Sequence, residues 1–552
     1  MKKLLIAFLL GFFVQTLAAQ STFIPYNRDY YHLIDRFQIK YGNSGEKLKT
    51  TFKPIRRIEL ADFLNQISAE YESMSAQDQF NYEFLMNDSW YESKSKFNEN
   101  PKNWWNLAYE QKSDLYVYQT EDFLVRINPV FTFTGGIDQD ETNSLYLNTR
   151  GAEAQGIIDN KIGFYTMFTT TEGVFADYVR QSVITKRAFP NEGYWKTSAK
   201  QYDLTQGRGY ITFGLSKSID VQAGYDKRFI GNGLRSMVFS DFSNPSLFGQ
   251  INFRSDKFNY HILHSELTAD IIFANSLSPG DGRYPKKFFT YHRLGVQLFP
   301  NFELGLFESI VSQKADLNYF NPLIFYRAVE QQLGSPDNVL LGVDFQYNVK
   351  SKVQLYGQFI LDELVISALR SGNGDWRNKF GIQLGAKYID AFDVANLDLQ
   401  AEVNLARPYL YASDSAVLSY THYRNPLAHP FGANFKELAL AARYQPTRKV
   451  FISSKFIRTI HGEDDNNLNY GGNLLASTND RIDNLGNEIG QGVGTNTNYL
   501  ELTGSYMLLH NVFLDWKNIL RKKDSAIDSR SSNTFITMLS LRWNIAQREH
   551  EF

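Results

Sequence analysis

The chain has 552 residues, with 57 Lys and Arg against 59 Asp and Glu, and its formal net charge of −2 gives no overall basic surface, so no nucleic-acid partner is expected. It contains no Cys, which excludes disulfides, thiolate metal sites, Cys nucleophiles and a lipid anchor on a Cys. Hydrophobic residues reach only 43% and aromatic residues 15%, and past the N-terminus no apolar run attains the roughly 20 residues of a spanning helix, so a membrane would be crossed by strands.

In chain order, Lys2 and Lys3, the apolar stretch from Leu4 to Val14 and the small residues Ala18 and Ala19 have the layout of a signal peptide over residues 1–19, cleaved before Gln20. Residues 20–113 read as helical. Leu60, Phe63, Leu64, Ile67, Tyr71 and Met74 recur at helical spacing, and Ser75, with Asp78 three residues on, caps a second helix carrying Phe80, Phe84 and Leu85. This predicts a small periplasmic α-helical domain docked on the remainder of the chain. The Trp104 and Trp105 pair serves that docking or stacks on sugar.

From Asp114 to Phe552 the period changes to two, which sends successive side chains to opposite faces of a sheet. Val339, Leu341, Val343, Phe345, Tyr347 and Val349 alternate with Gly342, Asp344, Gln346 and Asn348. A turn at residues 350–352 comes next, and Val353, Leu355, Gly357, Phe359 and Leu361 then alternate with Gln354, Tyr356, Gln358 and Asp362. About 18 such segments can be counted, joined alternately by short turns (159–161, 216–218, 254–257, 299–301, 348–352, 389–396, 446–449, 509–511) and long loops (175–201, 231–246, 273–286, 315–336, 365–379, 412–434, 461–496). The prediction is a mainly β fold, a transmembrane antiparallel β-barrel with a wet lumen and external loops, both chain ends lying in the periplasm. Leu397 to Leu405 repeat the two-faced pattern, with Asp398, Gln400, Glu402 and Asn404 toward the lumen. The segment Phe535 to Ile545 closes the sheet against Phe123 to Gly136, and Phe552 supplies a terminal aromatic.

Three stretches resemble the capsule-assembly Wzi family and its gliding-motility RemB-like relatives: Arg228-Phe-Ile-Gly-Asn-Gly-Leu-Arg235 with Ser240 and Asp241; Asn321-Pro-Leu-Ile-Phe-Tyr-Arg327 with Glu330, Gly334 to Asn338, and Leu341-Gly342; and Tyr356-Gly-Gln358 with Asp362 and Glu363. The stretch from Tyr470-Gly-Gly-Asn473 to Ile489-Gly-Gln-Gly492 is similar to RemB-type sequences, while Leu234 departs from the Tyr expected there. The resemblance implies an 18-stranded outer-membrane barrel with a periplasmic helical part, and a role in surface polysaccharide attachment or cell-surface motility. It supplies no catalytic residues.

Four residues stand out as ligand-binding candidates. Arg235, after the Gly-Asn-Gly turn, holds a carboxylate or phosphate in a bidentate fork, or pairs with a wall carboxylate such as Asp226 or Asp344. Arg327 and Glu330 share a face of a short helix capped by Asn321, begun by Pro322 and ended by Gly334; they recognise an anionic glycan in or over the lumen, or tie a plug to the wall. Asp362 lies on the polar face of its strand, and its neighbour Glu363 should point the other way, so the pair is not a glycosidase couple. Asp464, Asp465, Asn466 and Asn467 lack the ordered spacing of a calcium loop and read as solvated loop. No metal, cofactor or catalytic constellation is called for. The expected partners are outer-membrane lipid, surface polysaccharide and other outer-membrane proteins, with a solute channel or a subunit of a larger complex as alternatives.

Overall fold

The computed structural model describes residues 20–42, 48–100, 108–139, 144–192, 195–198, 200–269, 284–321, 325–363, 365–465 and 468–552. The signal-peptide reading, Trp104, Trp105, Pro322, Asn466 and Asn467 fall outside them.

Eighteen strands form a closed antiparallel barrel. They are β1 (Phe123–Asp138), β2 (Leu145–Ile158), β3 (Ile162–Val174), β4 (Gln201–Gly214), β5 (Ile219–Asp226), β6 (Ser246–Arg254), β7 (Phe258–Thr268), β8 (Lys286–Phe299) and β9 (Phe302–Ser312). The second half comprises β10 (Asn338–Val349), β11 (Val353–Glu363), β12 (Lys379–Tyr388), β13 (Leu397–Ala406), β14 (Phe435–Thr447), β15 (Val450–Glu463), β16 (Val493–Leu509), β17 (Val512–Ser525) and β18 (Ser532–Trp543). β18 closes on β1, with Trp543 opposite Phe131 and Ile536 opposite Asp138. The short turns fall at one mouth throughout. At the other mouth the loops are long, save for the connections after β1 and β17.

The two-residue period sorts the side chains as expected. Across β10 and β11, Val343 faces Phe359 and Asp344 faces Gln358. The first pair is exposed on the outer surface, and the second is buried inside. On β13, Asp398, Gln400, Glu402 and Asn404 are buried while Val403 is exposed. Near the short turns the outer surface carries Phe299, Tyr347, Phe392, Tyr444 and Tyr506, the aromatic girdle of the periplasmic interface.

The lumen, expected to be wet, is packed with the chain's own segments. At the short-turn mouth, α1 (Arg28–Tyr41) reaches inward to Asp241, and α2 (Arg57–Gln66), α3 (Ala76–Asp88) and α4 (Trp90–Ser93) follow it, with α3 against the short turns, where Gln77 donates to Pro446 O at 3.1 Å and Asn511 to Asp88 at 3.2 Å. α1 was not expected from the sequence, although the Asn27 side chain caps it by accepting the N–H groups of Asp29 and Tyr30, and Tyr30, Ile34 and Phe37 are buried on one face. The helix predicted from Leu60 to Met74 is instead α2 followed by a 3₁₀ stretch, Ile67–Ser73, and its apolar residues still reach the core shared with Phe37, Tyr82 and Leu85. Ser75 Oγ caps α3 by accepting the Asp78 N–H at 3.1 Å. Met507 of the wall joins this core, so helices and barrel share apolar packing.

From the long-loop mouth, residues 231–245 and 407–434 fold inward. Met237, Phe239, Leu410, Tyr411 and Leu427 pack with Leu263, Phe289, Phe307, Leu340 and Ile360 of the wall. The residues after β18 also turn inward, beginning where the Asn544 N–H donates to Asn511 O at 3.0 Å. Phe552 therefore does not end the last strand, as expected, nor does the chain end in the periplasm. Trp543 is the aromatic at the strand's end, and Phe552 packs against Tyr178 and Phe242 inside. The physical reason is pairing with residues distant in sequence: Glu549 and Glu551 are held in the lumen by Arg28, Arg235 and Lys455, and Arg548 by Glu192.

Candidate functional site

The turn at residues 231–235 brings backbone against wall carboxylates. Glu402 accepts the N–H groups of Leu234 and Arg235 at 2.8 and 3.1 Å, and a Cβ at Gly233 would collide with that same carboxylate. The glycine is required for close approach. Arg235 is directed at protein: its Nε donates to Glu437 Oε1 at 3.2 Å and its Nη1 to Glu551 Oε2 at 3.0 Å, while His429 Nε2 lies 2.9 Å from Glu437. Neither Asp226 nor Asp344 is its partner, since Arg208 donates to the first and Arg293 to the second. The fork is filled by a wall carboxylate and by the C-terminal tail.

That tail ties the three inward segments together. Arg28, just ahead of the α1 core, donates to Asp241 at 2.9 Å, to Glu551 at 2.9 Å and to Glu549. Lys455 of β15 reaches Glu551 at 2.5 Å, Glu549 at 3.0 Å and Glu501 at 3.2 Å. Further along, Arg548 pairs with Glu192 at 2.7 Å. A cavity of about 180 Å³ remains between helices, tail and wall, lined by charges of both signs that include Arg57, Asp88, Glu153 and Arg208.

A second cluster seals the short-turn mouth. Arg36, 2% exposed, donates to Asp78 at 2.8 Å, Asp390 at 2.7 Å and Asp398 at 2.5 Å, and Lys40 Nζ lies 2.7 Å from both Asp78 and Asp390. Burial alone would raise the Asp78 carboxyl, but Arg36 and Lys40 outweigh it and hold the group at about 2.

Arg327 and Glu330 do form the expected pair, at 2.9 Å, on α5 (Tyr326–Gln332). That helix starts later than the expected Asn321. No local side chain caps it; Glu308 of β9 does so, accepting the N–H groups of Tyr326 and Arg327 at 2.6 Å each. The helix lies against the outer wall, not in or over the lumen. Asp362 faces inward, accepting the Tyr411 N–H at 3.0 Å and pairing with Lys379 at 3.2 Å. A register irregularity between Leu361 and Glu363 brings the adjacent Glu363 to the same lysine at 3.5 Å, where regular alternation would have separated them. The four candidates are thus not brought together.

The surface at the long-loop mouth is a knitted crown of residues 365–378, 407–434 and 468–492. The N–H groups of Gly486 and Asn487 donate to Asn373 O and Gly374 O, both at 2.8 Å, and the Tyr409 hydroxyl donates to Asn469 O at 2.8 Å. Asp464, read as solvated loop, is an anchor that collects the N–H groups of Tyr470, Gly472 and Asn473 at 2.8, 3.3 and 3.1 Å, and Asp465 pairs with Arg530. Among the described residues, no group of three or more His, Asp or Glu is placed to hold a metal ion. In the crown the half-buried Trp376 lies under the Arg481 guanidinium at 4.1 Å, and Tyr409 meets its edge at 6.2 Å. Around it Asn373, Asp483, Asn484 and Glu488 are exposed. Trp376 carries little signal in the sequence, being a lone Trp between Asp375 and Arg377 in a loop joining two strands.

Strand number, closure, loop parity and the outward apolar belt define an outer-membrane β-barrel whose lumen is closed by its own segments. The model of the capsule assembly protein Wzi family matches residues 136–515, more than half of the chain, and the chain belongs to that family. Among solved structures, Wzi of Escherichia coli, described as an outer-membrane protein involved in group 1 capsule assembly and a carbohydrate-binding β-barrel, aligns with a TM-score of 0.58 at 12% identity, covering 96% of this chain and 100% of that one. OprD of Pseudomonas aeruginosa aligns with a TM-score of 0.40 at 10% identity, covering 76% of this chain and 94% of its own. No curated protein matches the sequence.

Proposed function

We propose that this barrel binds and displays surface polysaccharide at its external crown, and that it neither conducts solute nor catalyses a reaction. One observation carries this reading: segments from both mouths and the C-terminal tail fill the lumen with mutually paired charges, while the crown is fixed by backbone hydrogen bonds and carries the half-buried Trp376–Arg481 stack beside the exposed amides of Asn373 and Asn484. A preorganised surface of aromatic, guanidinium and amide groups suits sugar hydroxyls and ring faces, because little ordering is needed on binding. The carbohydrate binding described for Wzi of Escherichia coli supports this assignment. Adhesion and gliding, implied by the RemB-like resemblance, would use the same crown.

The test is retention of the producing strain's own surface polysaccharide by the purified protein, comparing the parent with a Trp376→Ala, Arg481→Ala variant. The variant should lose retention while Phe392→Ala, in the periplasmic girdle, retains it. Equal retention by all three would remove the crown from the assignment. A stable co-purifying outer-membrane protein would favour the role of a subunit in a larger complex.

A further inference from the structure

Above the exposed ring formed by Leu294, Leu306 and Val343, the outer wall of β7–β10 changes character. Tyr291 and Arg293 point into the lumen, where Tyr291 packs near Phe52 and Arg293 pairs with Asp344, so His292 between them points outward. By the same alternation Tyr260 and Glu308 point outward. They form a polar chain on the lipid side: Tyr260 Oη lies 2.9 Å from His292 Nδ1, and His292 Nε2 lies 3.1 Å from Glu308 Oε2. Left against hydrocarbon, this chain would be costly. It is covered by the connection from β9 to β10. Tyr326 stacks on His292 at 4.1 Å, Glu308 caps α5, and Tyr326 and Val329 bury Ile310 and Val339. Nearer the strand ends, Phe320 stacks on His264 at 4.1 Å.

The cover turns a second apolar face outward, with Leu317 85%, Phe325 74%, Phe320 52% and Leu333 41% exposed. This face continues the lipid-facing belt directly, because Leu294 and Leu306 lie on the same strands just below it. We infer that residues 317–321 and 325–333 are seated in the outer leaflet, with lipid as the occupant of their exposed face, and that they shield the Tyr260–His292–Glu308 chain from hydrocarbon. The connection is therefore a lateral membrane-embedded element and not part of the polysaccharide-binding crown. Arg327, 48% exposed, sits on the same helix where its guanidinium can reach the headgroup layer.

The absence of Cys allows a direct test. Leu317→Cys and Phe325→Cys, each spin-labelled in the full chain reconstituted into phosphatidylethanolamine and phosphatidylglycerol vesicles, should show collision with oxygen severalfold above collision with a water-soluble nickel chelate. Leu306→Cys in the belt and Asp483→Cys on the crown fix the lipid and water limits. Labels that match Asp483→Cys would overturn the inference, as would labels shielded from both reagents, which would mean that protein covers the face. A Leu306→Cys label that itself behaves as water-exposed would instead refute membrane placement of the barrel.

Discussion

Asp78 shows at the scale of one residue how the plug is held. Its carboxylate accepts the Arg36 fork at 2.8 and 3.0 Å and faces Lys40 at 2.7 Å, all at a buried position. Removing one partner of a buried pair leaves charge uncompensated, so Asp78→Asn is expected to ease opening of the helical plug by about 3 kcal/mol at neutral pH, read by hydrogen exchange of the α1 and α3 amides. The pH dependence is set by the direction of the shift. The carboxyl is held at about 2 in the folded protein, below its ordinary 3.8, so its contribution is complete above about pH 4 and is lost as pH falls from there through about 2. The deficit of Asp78→Asn should shrink over that window, and a deficit unchanged at pH 2 would mean that packing, not charge, holds the helices.

Among the elements, the C-terminal tail stands apart because each cation paired with Glu549 or Glu551 keeps a second partner: Arg28 has Asp241, Arg235 has Glu437 and Lys455 has Glu501. Neutralising the tail should therefore release it without unfolding the barrel. Glu549→Gln with Glu551→Gln is expected to render residues 545–552 susceptible to carboxypeptidase in a barrel that still resists denaturation by detergent, whereas the parent tail should be protected. Protection of both would assign the seating of the tail to Phe552 and Arg548. These elements also mark what a sequence makes legible. The strand alternation is local, with a period of two, and was readable to within the strand count and the loop parity. The seating of the tail depends on Arg28, Arg235 and Lys455, which are far away in sequence and carry no periodic signal, so nothing in Gln547 to Glu551 announced an inward turn. The start of α5 was misplaced for the same reason: Asn321-Pro322 is a good local cap, but the cap used is Glu308 on a neighbouring strand. By contrast, the Asn27 cap and the Tyr30, Ile34, Phe37 spacing of α1 were local signals and could have been read. Of the candidate site, the Arg235 pairing with some wall carboxylate was legible, but its identity as Glu437 was not.

For the whole molecule, closure results from two independent seals and not from one movable plug. The short-turn mouth is held by Arg36 and Lys40 among Asp78, Asp390 and Asp398, and the upper lumen by apolar packing of Met237, Phe239 and Tyr411 against the wall. Opening a continuous path would break several buried ion pairs and an apolar core together, each costly to disrupt. The intact protein is therefore expected to show no steady single-channel conductance in a planar bilayer, and opening the periplasmic seal alone, as in Asp78→Asn, should not create one, because the loops folded in from the outside still block the way. Steady conductance in the intact protein would restore the solute-channel alternative; conductance confined to Asp78→Asn would make the helices the sole gate. The loop parity also fixes which mouth faces out. On intact cells a membrane-impermeant maleimide should label Asp483→Cys on the crown and not Ser351→Cys in the turn between β10 and β11, and the reverse pattern would invert the barrel and place the crown, with its proposed polysaccharide surface, in the periplasm.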